Sequence, residues 1–310
     1  MRGGYPQVIP YQGSKRMLAD RILCYFPTHP VARLIEPFAG SAAITVAALA
    51  SGRARAAVVG DSLEPLVGIH RLIADAPEDL SEQYAALWVE QGNDRDAQYR
   101  RVRDEFNTDG DPAKLLYLLA RCVKGSVRFN SYGLFNQSAD RRRAGARPAE
   151  MARRIRAVHE VYCGRSAFVA ADYTATLADA DQHDLVFMDP PWQGTSEGRD
   201  QRYHRSLDRG AFLCYLDDMN RRGLRFLLSF DGSCGDRTYG EPMPSELRLT
   251  RIPLEAGRSS QATLSGRSES TVESLYLSPA LAQQIDVHRD GRDRSTPVQL
   301  RLDGLGDIGA

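Results

Sequence analysis

The sequence has no excess of either charge, no long apolar run and few cysteines, and each absence narrows what the chain can do. Its 40 lysines and arginines balance 40 aspartates and glutamates, which excludes a wholly basic nucleic-acid binder and leaves local patches as the route to a phosphate backbone. No run of about 18 apolar residues occurs, so a membrane-spanning helix is not expected. The opening residues MRGGYPQVIPYQG hold no apolar leader core, and the expected location is the cytoplasm. The five cysteines are far apart with no C-x-x-C pair. They are expected to be reduced and mostly buried, with no zinc site and no metal. Neither G-x-G-x-x-G nor a Lys-Ser/Thr phosphate loop is present, which argues against NAD or a nucleoside triphosphate as ligand.

What is present reads as an α/β chain. At 42% apolar content the 310 residues can build a large core. ARLIEPFAG gives a short strand, Arg33 to Ile35, stopped by Pro37, then a loop and the helix-forming run Ala42 to Ala50. RAAVVGD gives a second strand ending at Asp61. From Leu66 to Ala120 the apolar spacing turns helical. FNSYGLFNQSADRRRAGARP has no useful period and reads as a long loop, followed by the basic amphipathic helix AEMARRIRAVHEVY. Strand signals resume at SAFVA, HDLVFMD, LRFLLSF and ESLYLS. The expected organisation is therefore a discontinuous catalytic domain, 1–64 and 166–280, interrupted by a helical insertion, 65–165, and followed by a weakly structured or peripheral tail, 281–310.

Charge follows the same division. Residues 60–111 carry about eight excess negatives and 112–170 about nine excess positives, among them Arg141, Arg142 and Arg143. A basic segment of this kind is a candidate phosphate footprint.

The chemistry concentrates at strand ends. In IEPFAGS, Gly40 leads into a helix and lets backbone N–H groups approach a ligand. Asp61 stands where an acid at the next strand end takes ribose hydroxyls in such folds. FMDPPW ends a third strand with an acid, two prolines and an indole. Asp189 and the Pro190 carbonyl are acceptors fixed in direction by Pro190 and Pro191, and Trp192 offers a face for a flipped-out base. An amine with two hydrogens can donate to both acceptors while its ring stacks on the indole.

These motifs and their order resemble the Dam-like DNA adenine-N6 methyltransferases, from about Tyr11 to Leu277. The resemblance implies a Rossmann-like S-adenosylmethionine-dependent methyltransferase sheet with an inserted helical target-recognition domain. It implies that Tyr11 and Lys15 of YQGSK touch S-adenosylmethionine, Lys15 facing its carboxylate. Glu36, Pro37, Phe38 and Gly40 would lie under that cofactor, Asp61 would hold its ribose, and Asp172 with Tyr173 would flank its adenine. In KGSVRFNSYGLFNQS the family's recognition pattern is kept at Arg128, Asn130, Gly133, Phe135 and Asn136, and Arg128 is of the type that reads guanine in the major groove. Lys124 stands where the family has Asn, Ser138 where it has Pro, Trp192 for the usual Tyr and Phe230 for a usual polar residue. Lys124, Arg128, Asn130, Asn136, Arg141, Arg258 and Ser259 are the expected DNA contacts, with Arg267 as a further phosphate contact.

The function so implied is site-specific methyl transfer to the N6 amino group of a flipped-out adenine in double-stranded DNA. The chain is expected to act as a monomer, with a restriction endonuclease as a candidate partner. Two rivals stand beside it: an amino methyltransferase acting on RNA or on a protein glutamine, and a DNA-binding regulator on the same scaffold without catalysis.

Overall fold

Short apolar runs closed by turn residues become strands of one sheet. A computed structural model describes residues 4–191, 207–234, 237–258 and 270–285. The strands are β1 (Val31–Glu36), β2 (Ala54–Asp61), β3 (Ser166–Ala170), β4 (Leu185–Met188), β5 (Arg225–Cys234), β6 (Arg237–Tyr239), β7 (Thr250–Arg258) and β8 (Ser270–Leu277). They form one eight-stranded sheet in the order β3-β2-β1-β4-β5-β8-β7, with β6 pairing the last residues of β5. The strands from β3 to β5 pair in parallel, and β8 and β7 pair antiparallel. Every residue of β4 is buried, as a parallel strand covered on both faces requires. The fold is the expected Rossmann-like sheet.

The helices are α1 (Ala19–Leu23), α2 (Ala43–Ala50), α3 (Glu64–Asp75), α4 (Pro77–Glu90), α5 (Arg95–Asp109), α6 (Pro112–Arg121), α7 (Pro148–Tyr162), α8 (Tyr173–Thr176), α9 (Arg209–Arg221) and α10 (Pro279–Ile285). Their ends obey local chemistry: Asp94 and Asp111 accept from the third backbone N–H of α5 and α6, and Gly110 closes α5 in the left-handed region. The helices α3 to α6 and then α7 lie between β2 and β3 in chain order. Helix α3 packs on β2 and β3, and α7 packs on α2. Tyr84, Tyr99 and Leu116 of the insertion belong to the same buried cluster as Leu34, Leu185 and Leu227 of the sheet. One continuous core therefore runs through both.

Two expectations need correction. Helix α10 carries the packed chain across the boundary expected at 281, because Leu281 and Ala282 are buried; residues 286–310 lie outside the described residues. The thiols are free, but Cys24, Cys163 and Cys214 are exposed and only Cys122 of the described set is buried. Cys24 and Cys163 stand at the C-caps of α1 and α7, where the chain leaves the core, and Cys214 is on the outer face of α9.

Strand order positions the site. Chain order reverses between β1 and β4, and in open α/β sheets a ligand crevice forms outside the carboxyl ends of the strands at such a reversal. Leu34 pairs with Leu185 and Ile35 with Val186. The loop after Glu36 and the Asp189 corner consequently leave the sheet side by side.

Candidate active site

The loop after β1 is built from bonds that its own residues cannot make alone. Helix α2 is preceded by Ala42, which has φ 51° and no capping side chain. Glu36, at the end of β1, supplies the cap: its Oε2 accepts from Thr45 N at 2.9 Å and Thr45 Oγ1 at 2.6 Å. Burial pushes the Glu36 carboxyl up to about 8, against the pull of the Thr45 donors. Glu36 is thus bound into α2 from beneath the loop, and Pro37 makes the turn out of the strand.

Gly40 is held at both ends of its residue. Its N–H donates to Asp61 Oδ2 at 3.0 Å, and Asp61 Oδ1 accepts from Leu63 N at 3.0 Å. Its carbonyl lies 2.9 Å from His70 Nε2. A carbonyl only accepts, so Nε2 carries the proton, and Nδ1 accepts from the Tyr162 hydroxyl at 3.1 Å. Burial pushes the His70 ring down to about 4, which keeps it neutral. A Cβ at Gly40 would meet Tyr11 Cε1 at 2.9 Å, and φ at Gly40 is +51°. Both facts require glycine there.

At the neighbouring strand end, Lys15 Nζ lies 2.9 Å from Asp189 Oδ2 and 3.3 Å from Glu273 Oε2. Lys15 is 7% exposed and Asp189 20%. Burial alone would lower the Lys15 ammonium, but the fields of Asp189 and Glu273 outweigh it and hold the proton firmly. Burial pushes Asp189 up to about 6; Lys15 and a hydrogen bond from Ser229 pull it down, and Glu273 pushes it further up. Pro190 is buried and Pro191 partly so. Trp192 lies outside the described residues.

An apolar shelf closes the other side. Phe38 stacks on Tyr173 with centroids 5.4 Å apart. Phe212 meets Tyr173 edge-on at 5.4 Å and stacks on Phe230 at 6.2 Å. Phe230 is fully buried, so the departure at this position adds to the core. Asp172 caps α8, accepting from Ala175 N at 3.0 Å and Thr174 Oγ1 at 2.7 Å.

The YQGSK segment is tied to both neighbours. Ser14 Oγ lies 2.8 Å from Ser41 Oγ, Gln12 N donates to Gly125 O at 3.0 Å, and Ser126 Oγ donates to Gln12 Oε1. Lys124 has φ 60° and Gly125 φ 62°. Two successive left-handed residues suit Asn-Gly far better than Lys-Gly.

Beyond this turn, Phe129 and Phe135 bridge across a tight loop. Asn130 Oδ1 accepts from Tyr132 N at 2.9 Å and Leu134 N at 3.0 Å, so Asn130 shapes the loop whose tip exposes Tyr132 at 87%. Arg128 is partly buried beside it, and its carbonyl accepts from Asn136 N at 3.0 Å. Arg141 is 87% exposed and pairs with Asp96 at 3.2 Å, and Arg143 pairs with Asp140. These arginines are partly neutralised by acids of the protein itself. Ser259 and Arg267 lie outside the described residues, and β7 ends at Arg258.

The structure thus gathers Tyr11, Lys15, Glu36, Pro37, Phe38, Gly40, Asp61 and Asp189 around the carboxyl ends of β1, β2 and β4, with Tyr173 on the shelf. Sequence reasoning missed His70, Ser229 and Glu273. Glu273 had a signal: it shares its strand face with Leu275 and Leu277, both fully buried, and a lone acid on such a face calls for a partner. Among the described residues no group of side chains is arranged to hold a metal ion, and no helix is long and apolar enough to cross a membrane.

A backbone turn cradled by Tyr11, an acid beside it with two fixed oxygens, and an aromatic shelf fit a nucleoside cofactor bearing a charged amino-acid arm. Fold and site together define the class of S-adenosylmethionine-dependent methyltransferases. Residues 11–213 match the family model of D12 class N6 adenine-specific DNA methyltransferases, more than half of the chain. The chain belongs to this family, whose members are S-adenosylmethionine-dependent enzymes methylating adenine N6 in DNA. It is 29% identical over 210 residues to the retron Ec67 DNA adenine methylase of Escherichia coli, covering 64% of this chain and 70% of the relative. It is 27% identical over 193 residues to the DNA adenine methylase of Serratia marcescens, covering 59% and 66%. With the DNA N-6-adenine-methyltransferase of Escherichia phage P1 it shares 23% over 239 residues, 73% of this chain and 30% of that longer relative.

Proposed function

We propose that this chain methylates N6 of an adenine rotated out of duplex DNA, with Asp189 and the Pro190 carbonyl accepting the two amino hydrogens. The observation that carries the reading is the Asp189-Pro190-Pro191 corner at the end of β4, beside the Gly40 turn. S-adenosylmethionine supplies an electrophilic methyl group on its sulfonium. Asp61 takes the ribose hydroxyls on the lone pairs that Gly40 and Leu63 leave, Phe38 and Tyr173 flank the adenine ring, and Asp172 holds Tyr173 at the start of α8. Tyr11 packs under the Gly40 turn, and Glu36 and Pro37 fix the loop from below.

Drawing the amino hydrogens aside turns the nitrogen lone pair out of the ring and towards the methyl group. Asp189, with its carboxyl near 6, is ionised at neutral pH and is the nearest base for the proton the amine loses. Positioning and fixed charge supply much of the rate. Trp192 stacks on the extruded base. Arg128 reads a base, whereas Lys124, Asn130, Asn136, Arg141, Arg258 and Ser259 align the duplex through its backbone. The chain acts as a monomer in the cytoplasm, and a restriction endonuclease recognising the same sequence is the candidate partner.

Single-molecule sequencing of DNA from cells expressing the chain, beside cells expressing Asp189→Ala, tests the proposal. N6-methyladenine at one motif in the first and none in the second is the expected result. No methylated adenine from the parent chain would refute it, and incorporation into RNA or protein alone would favour the other amine substrates.

A further inference from the structure

One cation in the site faces two carboxylates. Lys15 pairs with Asp189 on the end of β4 and with Glu273 on β8, two strands away. Pairing between β5 and β8 slips between Ser229 and Gly232, and Glu273 sits opposite Gly232. A bulge beside a site commonly re-aims a side chain, and here it accompanies an acid that shares its strand face with the buried Leu275 and Leu277. Among the described residues Glu273 Oε2 makes no hydrogen bond, and its partner is the Lys15 ammonium.

The arrangement raises a problem for the proposed reaction. The Lys15 ammonium donates to the same carboxylate that has to receive the target amine. At 7% exposure, Lys15 cannot leave Asp189 for water, and a buried ammonium with no counter-ion is strongly disfavoured. A second carboxylate already within ion-pair distance removes that obstacle.

We propose that Glu273 is a positioning residue that retains the Lys15 ammonium when Asp189 turns to the target amine. The inference rests on the methyltransferase reading above. Lys15 then swings about Glu273 as a fixed point: on Asp189 before the base enters, and away from it, free to donate towards the cofactor's carboxylate, once the base is bound. The charged groups facing Asp189 are Lys15 from the turn before α1, Glu273 from β8 and Glu36 from the end of β1.

Glu273→Gln gives a combination that simple loosening would not. Removing a negative neighbour, and committing Lys15 wholly to Asp189, both favour the Asp189 carboxylate, so the acid limb of the pH–rate profile moves to lower pH. The plateau kcat nevertheless falls by about tenfold or more, because Asp189 is held by Lys15 in the wrong arrangement. Glu273→Asp, which keeps the charge, restores the limb and part of kcat.

The test measures kcat for methylation of a duplex carrying the unmethylated recognition motif, from pH 5 to 9, on variants whose thermal unfolding matches the parent. Unchanged kcat in Glu273→Gln, or an acid limb that stays or moves up, overturns the proposal. A second arm needs no variant: the structure of the parent with S-adenosylhomocysteine and that duplex. Lys15 seated on Glu273 and away from Asp189 supports the proposal, and Lys15 still on Asp189 overturns it. An inactive parent chain would count against the methyltransferase reading itself, whereas failure confined to these arms counts against Glu273 alone.

Discussion

Replacing Asp61 by alanine separates the two jobs this acid performs. In the protein, its oxygens accept from Gly40 N and Leu63 N, each at 3.0 Å. A hydrogen bond to a charged group contributes about 1.5–3 kcal/mol net. Both bonds are partly exposed, so their joint loss is expected to cost about 2–4 kcal/mol of stability, read as a lower urea midpoint. Loss of the ribose acceptors adds a separate penalty in cofactor affinity of about 1–3 kcal/mol, or roughly 5- to 150-fold in Kd. Asp61→Asn refines the test: it keeps one acceptor, for Leu63 N, and turns an amide N–H against Gly40 N–H. Its urea midpoint is expected to fall between those of the parent and the alanine variant. Urea unfolding and calorimetric titration with S-adenosylmethionine supply both numbers. An alanine variant with the parent's midpoint and the parent's affinity would show that the Gly40 turn is held by something else and that the ribose lies elsewhere.

Asp189→Ala is expected to keep the fold and lower turnover by about 100-fold or more; near-parental methylation would remove Asp189 from the reaction. Because burial raises Asp189 to about 6 and the ionised form accepts the amine, kcat/KM is expected to be full above pH 7 and to fall as pH drops through 6, and a flat profile down to pH 5 would contradict this. Lys124→Asn is expected to stabilise the chain by about 1 kcal/mol, since φ is 60° at that position and Asn tolerates the left-handed region; a lower thermal midpoint would show the lysine to be held by contacts that outweigh its backbone. Nitrogen-15 NMR is expected to show His70 protonated on Nε2 and neutral at pH 5, its ring being pushed down to about 4 by burial, and a ring that charges near pH 6.5 would undo the assignment of Nδ1 as acceptor from the Tyr162 hydroxyl. Arg128→Ala is expected to cost about 1–3 kcal/mol of DNA binding and relax one base pair, whereas Arg141→Ala weakens all sequences alike and lowers the salt slope by about one; equal losses on matched and substituted duplexes for Arg128 would make it a phosphate contact.

The parts of the site that were legible in the sequence are those that stand at strand ends next to turn residues. Pro37, Gly40 and the Pro190-Pro191 pair interrupt apolar runs, and an acid beside such an interruption is visible without a fold. Bonds between distant segments left no local trace. That Glu36 caps α2 is one such bond, made because Ala42 cannot cap and the strand end lies beneath it. His70 sits inside the apolar period of α3 and reads as one more buried position. Glu273 meets Lys15 only because β8 comes to lie two strands from β4, an adjacency that no window of sequence contains. Helix α9 carries charges among its apolar residues and left little trace in the sequence, and the exposure of three cysteines follows from helix ends and faces that composition does not reveal.

The Tyr162–His70–Gly40 chain of bonds, with the Gln12–Gly125 contact, has a practical meaning for anyone wishing to exchange recognition segments among relatives. A graft cut at residues 65 and 165 would replace α3 and α7 together with the DNA-reading loop, and would import a foreign partner for the imidazole and foreign side chains against β2 and β3. Cuts placed after α3 and before α7 leave His70, Tyr162 and their contacts native, and confine the exchanged piece to α4, α5, α6 and the loop they carry. Even then the donor's residue 125 must accept from Gln12 N and its residue 126 must donate to Gln12 Oε1, so the smallest transplantable unit for altered sequence preference includes the donor's own counterpart of the YQGSK segment.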